Sequence, residues 1–273
     1  MPDLIYHYTN MEGLKGIWES QCLWATHYKY LNDEKEIDMF VEVMSGRGFK
    51  REDIKVVHDA YIVFIKKQNA RGPFIVSFCD HDDLLSQWLR YGGAGGCAIG
   101  FNYEELDALC TQEPKNYLLG QSECKCVIYN GLFSSEDEKF LDKLGNDAFH
   151  YLKKIKDGST SSDSELMGRI LGTIPRLKHQ GFHEEKEYRI IVARSNKENE
   201  CDLQKEMKVK YRQKGESLVP YIALFEDINI RLPIKRIIVG PAYNAPLRKE
   251  AIEMMIKGTD IEVKLSDIPY LGN

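Results

Sequence analysis

The 273-residue chain reads as a single α+β domain spanning 1–273. Three observations predict this class. Segments with the two-residue alternation of strands and segments with the three-to-four-residue spacing of helices follow one another, without the strict βαβ order of a doubly wound parallel sheet. No internal repeat recurs, and no Pro-, Gly- or Ser-rich linker is long enough to divide the chain. The composition, 43% hydrophobic and 29% charged, is that of a chain able to bury a core.

Taken in order, Leu4-Ile-Tyr-His-Tyr-Thr9 is a short strand. Asn10 caps a following helix on which Met11, Leu14 and Ile17 recur at helical spacing. Leu23-Trp-Ala-Thr26 is a second strand, and Leu31-Asn-Asp33 is turn chemistry ahead of an acidic helix. Residues 52–68 carry the strongest helical period of the N-terminal half, through Ile54, Val57, Tyr61, Phe64 and Ile65. Phe74-Ile-Val-Ser-Phe78 is a near-continuous apolar strand. Leu84 to Tyr91 has a helical period, and Cys97 to Phe101 is β in character. A short helix at Tyr103 to Leu109, a strand at Cys124 to Tyr129 and a helix at Ser135 to Lys156 come next. The polar run 157–164 is the one expected mobile loop, and Leu166, Ile170 and Leu171 mark the helix after it. Beyond Pro175 the pattern is mostly β: Glu187 to Ala193, Lys208 to Gln213, Leu218 to Phe225 and Arg236 to Val239, with a hairpin at Lys214-Gly-Glu-Ser217.

Thirty-seven Lys and Arg against 42 Asp and Glu give a net charge of −5. That excludes a wholly basic surface for non-specific duplex binding and leaves a local basic patch open. The segment from Arg169 to Lys214 holds 12 basic and 7 acidic residues, so the acidic average conceals a basic stretch. No apolar run approaches the roughly 18 residues of a membrane span, and the start, MPDLIYHYTNMEGL, shows no basic region followed by an apolar one. Seven cysteines, at 22, 79, 97, 110, 124, 126 and 201, follow no framework spacing. They read as reduced thiols of a cytoplasmic protein. Cys124-Lys-Cys126 reads as two half-buried strand positions, since its spacing is not that of a zinc knuckle.

Gly93-Ala-Gly95-Gly-Cys-Ala98 matches G-x-G-x-x-A. A dinucleotide fingerprint needs a strand before and a helix after it, and here the order is inverted, so no Rossmann site is expected. At the first strand, His7 and Thr9 share a face while Tyr6 and Tyr8 point the other way. A packing role is the ordinary reading of such a histidine, but an imidazole and a hydroxyl side by side also suit the diol of a ribose. In Phe182-His-Glu-Glu185-Lys-Glu187-Tyr-Arg189, a strand beginning at Glu185 puts Glu185, Glu187 and Arg189 on one face. That is either a surface salt-bridge ladder or a carboxylate at a cleft, with Arg189 holding it ionised or binding phosphate. In Gln87-Trp-Leu-Arg90-Tyr91, Gln87, Arg90 and Tyr91 share a helix face, and Trp88 turns inward as core. Arg90 and Tyr91 beside the glycine loop suit a phosphate and an aromatic ring.

Six motifs occur in order: Tyr6-His7-Tyr8-Thr9, Leu31-Asn32-Asp33-x-x-Glu36, Ser86-Gln87-Trp88-x-x-Tyr91, Gly96-x-Ala98-x-Gly100-Phe101, Phe182-x-x-Glu185-x-Glu187-x-Arg189 and Ile238-Val239-Gly240-Pro241. Together they resemble the bacterial "domain of unknown function 2971" family over about residues 4–241. A looser resemblance is to ADP-ribosyltransferases, whose NAD cleft is a split, mostly antiparallel or mixed β structure flanked by helices. What that second resemblance implies is an NAD-consuming enzyme, a toxin or phage-defence effector that modifies nucleic acid or protein. Glu187, with Glu185 as rival, would be the catalytic glutamate that stabilises an oxocarbenium-like state. His7 and Thr9 would hold a ribose, Tyr8 or Tyr91 would stack on nicotinamide, and Arg90 or Arg189 would meet the pyrophosphate. Ser77 alone would stand at the middle-strand position, where the family's Ser-Thr-Ser stretch is missing.

Two other classes of function stay open. One is a catalytically silent nucleotide-binding or interaction module. The other is a metal-dependent nuclease using Asp33, Glu36, Glu185 and Glu187. Asp80-His-Asp82 gives the nuclease slight support but reads as a capping turn. The expectation that separates them is geometric. An enzyme of the transferase type requires His7 and the glutamates to converge on one cleft.

Overall fold

The computed structural model of the chain describes residues 1–31, 39–67, 73–92, 95–112, 119–120, 124–157, 164–194, 209–226 and 230–269. The expected loop at 157–164 falls mostly outside them, as do Asp33, Glu36 and Cys201. The elements run β1 (Leu4–Thr9), α1 (Met11–Ser20), β2 (Leu23–His27), α2 (Met39–Gly46), α3 (Arg51–Lys67), β3 (Phe74–Cys79) and α4 (Leu85–Gln87). They continue with β4 (Cys97–Asn102), α5 (Tyr103–Gln112), β5 (Leu119–Gly120), β6 (Cys124–Cys126), β7 (Ile128–Tyr129), α6 (Ser135–Lys156), α7 (Ser164–Thr173) and β8 (Leu177–Lys178). The last are β9 (Glu187–Arg194), β10 (Lys210–Lys214), β11 (Ser217–Leu224), β12 (Ile234–Val239), α8 (Ala245–Met255) and β13 (Glu262–Leu265). The protein is thus α+β with mixed, mostly antiparallel sheets, as the period changes predict.

Among the described residues eleven strands form one sheet, with the path β10-β11-β2-β3-β1-β4-β12-β13 and with β9, β5 and β6 off it. The centre of this sheet is divided. β9 pairs with all six residues of β3 and so occupies one edge of that strand. β2 and β1 share the other edge, β2 through Ile75 and Phe74 and β1 through Cys79 alone. Between them β1 and β2 diverge, leaving the Val76–Phe78 stretch of β3 facing a gap. β7 and β8 form a separate two-stranded parallel ribbon, so the single strand expected from Cys124 to Tyr129 is two strands in two sheets. Its cysteines also differ from expectation: Cys124 is buried and Cys126 exposed.

Local chemistry sets the flanking helices. Asn10 caps α1 by accepting from the Gly13 amide at 2.7 Å, which is worth about 1 kcal/mol. Leu14 and Ile17 of α1, Leu106 and Cys110 of α5 and Ile252 of α8 pack on one sheet face with Ile5, Phe74, Phe78, Phe101 and Ile190. A second core joins α2, α3, α6 and α7 to β7 and β8 through Phe40, Met44, Ile54, Leu141, Leu144 and Leu177. On the opposite sheet face Trp88 packs against Tyr6, Tyr8, Cys79, Ala98 and Ile238. The segment bearing Trp88 is α4 continued by a π-helical turn, Trp88–Gly92. The glycine loop after it leads into β4, the inverted order that excludes a Rossmann turn. Gly96 is held between backbones, for a Cβ there would lie 2.4 Å from the carbonyl oxygens of Thr9 and Gly92.

Asp80-His-Asp82 provides no side-chain cap for α4, contrary to expectation. The organising residue of that turn is Asp83. Its carboxylate accepts from Trp88 Nε1 at 2.7 Å, Ser266 Oγ at 2.6 Å and the Asp267 amide at 2.7 Å, tying the C-terminal segment to the centre of the fold.

Candidate functional site

The candidate residues divide between the two faces of the sheet. β1 pairs with β4 along its whole length, with Ile5, His7 and Thr9 opposite Phe101, Ile99 and Cys97. Those partners belong to the main core, so His7 and Thr9 stand on that face. Cys79 pairs with Tyr6 on one side and Glu187 on the other. Cross-strand partners share a face, so Glu187 and Arg189 stand with Tyr6 and Tyr8, opposite His7. The sheet does set the three motif-bearing strands side by side in the order β9–β3–β1. It does not bring their first-named side chains together.

His7 fills the gap between β1 and β2. Its Nδ1–H donates to the Ser77 carbonyl at 2.9 Å, which the divergence of the strands has left facing that gap. Its ring stands 5.8 Å from that of Phe78. Burial pushes the imidazole pKa down, the Ser77 bond opposes this, and the charge of Arg212 lowers it further. A neutral ring that donates through Nδ1 presents Nε2 as an acceptor. Thr9 packs against the first turn of α1, where a Cβ on Gly13 would lie 2.1 Å from its Oγ1.

Tyr8 is anchored rather than free to stack on a ligand. Its hydroxyl donates to the His81 carbonyl at 2.8 Å and accepts from the Leu84 amide at 3.1 Å, and its ring packs edge-on to Trp88 at 4.7 Å. Tyr91 is exposed.

Glu185, Glu187 and Arg189 do converge, though not as one strand face. β9 begins at Glu187. Glu185 ends a 3-10 segment, Gln180–Glu185, and Lys186 between them adopts a left-handed conformation with φ 36°. The residue that joins them is Lys178, on β8. Its ammonium lies 2.8 Å from Glu185 Oε2 and 2.8 Å from Glu187 Oε2. Arg189 donates to Glu187 through Nε at 2.7 Å and Nη2 at 3.0 Å, and its Nη1 donates to the Pro175 carbonyl. The Glu187 amide donates to the Tyr129 hydroxyl at 2.9 Å.

Lys178, Glu185, Glu187 and Arg189 are all buried. Burial alone would raise the Glu187 pKa, but Arg189 and Lys178 reverse this and hold it down at about 2. Burial likewise works against the Lys178 charge, yet Glu187 and Glu185 carry its pKa above the ordinary value. Arg90 closes the cluster from outside, with Nη1 2.5 Å from Glu185 Oε1 and a side chain 40% exposed. The Phe182 ring lies 5.4 Å from the Arg90 guanidinium and 4.9 Å from the Lys178 ammonium. Three cations and two carboxylates leave the cluster at +1, with its accessible charge on Arg90.

Ser77 lies opposite Arg189 on the same face and is half-buried. The neighbouring Cys79 thiol is pushed up to about 12, chiefly by burial, so it is no nucleophile at neutral pH. Among the described residues no group of three metal-ligating side chains comes together, and no helix is long and apolar enough to cross a membrane. Sequence reasoning missed Lys178, whose only signal was its place in the basic stretch.

The fold and the cluster define an α+β protein with a centrally divided sheet and a buried ion network beside the division. Residues 87–190 match a family model described as "Protein of unknown function (DUF2971)". The resemblance drawn from the motifs therefore holds over that stretch, which contains Trp88, Arg90, Lys178, Glu185, Glu187 and Arg189. No curated protein and no solved structure matches the chain.

Proposed function

We propose that the chain is a nucleotide-binding module without glycosyl-transfer turnover. The observation that carries this reading is the closed ion network around Glu187. A carboxylate that stabilises an oxocarbenium-like state must face the reacting sugar. Glu187 instead spends both oxygens on Lys178 and Arg189, beneath the protein surface. The cluster's remaining charge is outward, at Arg90 beside the Phe182 ring. A guanidinium next to an aromatic face suits the phosphate and base of a nucleotide.

A second reading, an ADP-ribosyltransferase-like enzyme that uses NAD as co-substrate and modifies nucleic acid or protein, is favoured by one observation. The strands bearing Glu187, Ser77 and His7 lie side by side. Against it stands the pleat, which sends His7 to the other face. Among the described residues nothing favours the metal-dependent nuclease, because Glu185 and Glu187 are turned onto cations.

The test is incubation of the protein with NAD, following binding by calorimetry and nicotinamide release by chromatography. Binding without release is the expected result, with affinity reduced at least tenfold in Arg90→Gln. Release that disappears in Glu187→Gln would overturn this reading for the transferase. No binding of NAD or ADP would remove both.

A further inference from the structure

On the face shared by Glu187 and Tyr8, but at the other end of β3, lies a second cation that neither family resemblance singles out. Arg212 is on β10, and its side chain reaches across β11 to β2. There Nη2 donates to Thr26 Oγ1 at 2.9 Å, and the guanidinium lies 5.6 Å from the centre of the Trp24 ring. Trp24 is in turn packed on Tyr221 at 4.5 Å and remains 40% exposed.

Arg212 differs from three other half-buried arginines, Arg47, Arg169 and Arg236, in having no carboxylate. Arg47 meets Asp142, Arg169 meets Asp147 and Arg236 meets Glu262. Among the described residues Arg212 forms no ion pair, and its Nε–H is buried without a hydrogen-bond partner. Burying a guanidinium with neither counter-ion nor full hydrogen bonding is unfavourable, and a buried orphan donor calls for an acceptor. Among the described residues the one acid-like group that acts on it is the Tyr221 hydroxyl.

We infer that Arg212, oriented by Thr26 and Trp24, receives the phosphoryl group of a small phosphate-bearing molecule. The guanidinium fork matches two oxygens of a phosphate at once. This site is separate from the Arg90 cluster. Thr26 is opposite Ile75 and Glu187 is opposite Cys79, four residues along β3, which is about 13 Å at strand rise. One phosphoryl group cannot bridge that span, so the inference does not rest on the function proposed above.

The experiment uses the emission of Trp24 in the intact protein, titrated with inorganic phosphate, with adenosine monophosphate and, at matched ionic strength, with chloride. The expected result is a saturable change with phosphate and monophosphate but not with chloride, and affinity at least tenfold weaker in Arg212→Gln. A monophosphate that binds more than tenfold tighter than inorganic phosphate assigns the group to a nucleotide, and equal affinities assign it to free phosphate. Either supports the site. Wild-type protein that responds no differently to phosphate and chloride overturns it, as does an Arg212→Gln variant with unchanged affinity. If Arg212→Gln does not fold, Arg212→Lys carries the test, because it keeps the charge and loses the fork. Its affinity should fall about tenfold, and unchanged affinity overturns the proposal. Arg90→Gln, which lowers NAD binding under the reading above, should leave phosphate binding here intact.

Discussion

Glu187→Gln separates a structural glutamate from a catalytic one. The substitution keeps shape and removes charge, so Arg189 loses its ion pair with Glu187 and Lys178 is left with the single carboxylate of Glu185, which Arg90 also holds. Breaking a buried ion pair by neutralising one partner costs about 3–5 kcal/mol, because the other charge stays buried. The wild-type pKa leads to a similar figure. A carboxyl held at about 2 instead of 4.5 contributes about 3 kcal/mol of stability at neutral pH. Because the folded pKa is the lower one, that stability is present above about pH 4.5 and is lost as the pH falls toward 2. The assay is urea unfolding at pH 7, alongside a thermal scan in which the variant should melt on the order of 10 °C below wild type. In acid the two proteins should converge. Lys178→Met added to Glu187→Gln should recover part of the loss, since it removes the stranded cation. A Glu187→Gln protein that unfolds at the wild-type urea midpoint would refute the reasoning and return Glu187 to the list of candidate catalytic groups.

Two further predictions follow from named contacts. His27 is buried against Phe74 and Tyr28, and burial, with the charge of Lys29, lowers its pKa to about 4. Its neutral form is the folded one, so stability is full above about pH 6.5 and declines as the pH falls toward 4. Wild type should lose about 1–3 kcal/mol between pH 7 and pH 4.5, and urea midpoints for His27→Gln that decline just as steeply would rule out this origin. Asp83→Ala removes three hydrogen bonds and leaves the buried Trp88 Nε1 without an acceptor. A loss of about 2–4 kcal/mol is expected, together with faster exchange of the Asp267 amide, and unchanged exchange there would show that Asp83 does not hold the C-terminal segment.

Periodicity located most of the elements, because period is a local property of the chain. β1, the first helix with its Asn10 cap, β3 and the β10–β11 hairpin lie where spacing and turn chemistry put them. What local spacing does not contain is register. Glu185-Lys-Glu187 alternates as a strand would, yet the left-handed conformation of Lys186 breaks the run and puts Glu185 on a 3-10 turn. The three charges still meet, but through Lys178, which lies seven residues before Glu185 on β8, a short strand that the sequence reading does not contain. Arg212 escaped notice for a related reason. A basic residue in a hairpin reads as solvated until the pairing of β11 with β2 shows that it spans to Thr26.

The same dependence on register explains why His7 and Glu187 were grouped together on sequence and are separated in the fold. Alternation specifies which residues of one strand share a face; it leaves open which face of the sheet that is. The answer comes from two pairings, Tyr6 with Cys79 and Cys79 with Glu187, and shifting either by one residue would have put His7 beside the glutamates. The division of the sheet gives His7 a task that requires no ligand. Where β1 and β2 part, the Ser77 carbonyl loses the ladder amide that an undivided sheet would supply, and an unpaired buried carbonyl is costly. A neutral imidazole donating through Nδ1 meets that need at 2.9 Å. An imidazole is also long enough to cross a gap that no backbone amide reaches. Histidine at this position is therefore accounted for by the sheet alone, and any role for it in ligand binding has to be carried by Nε2.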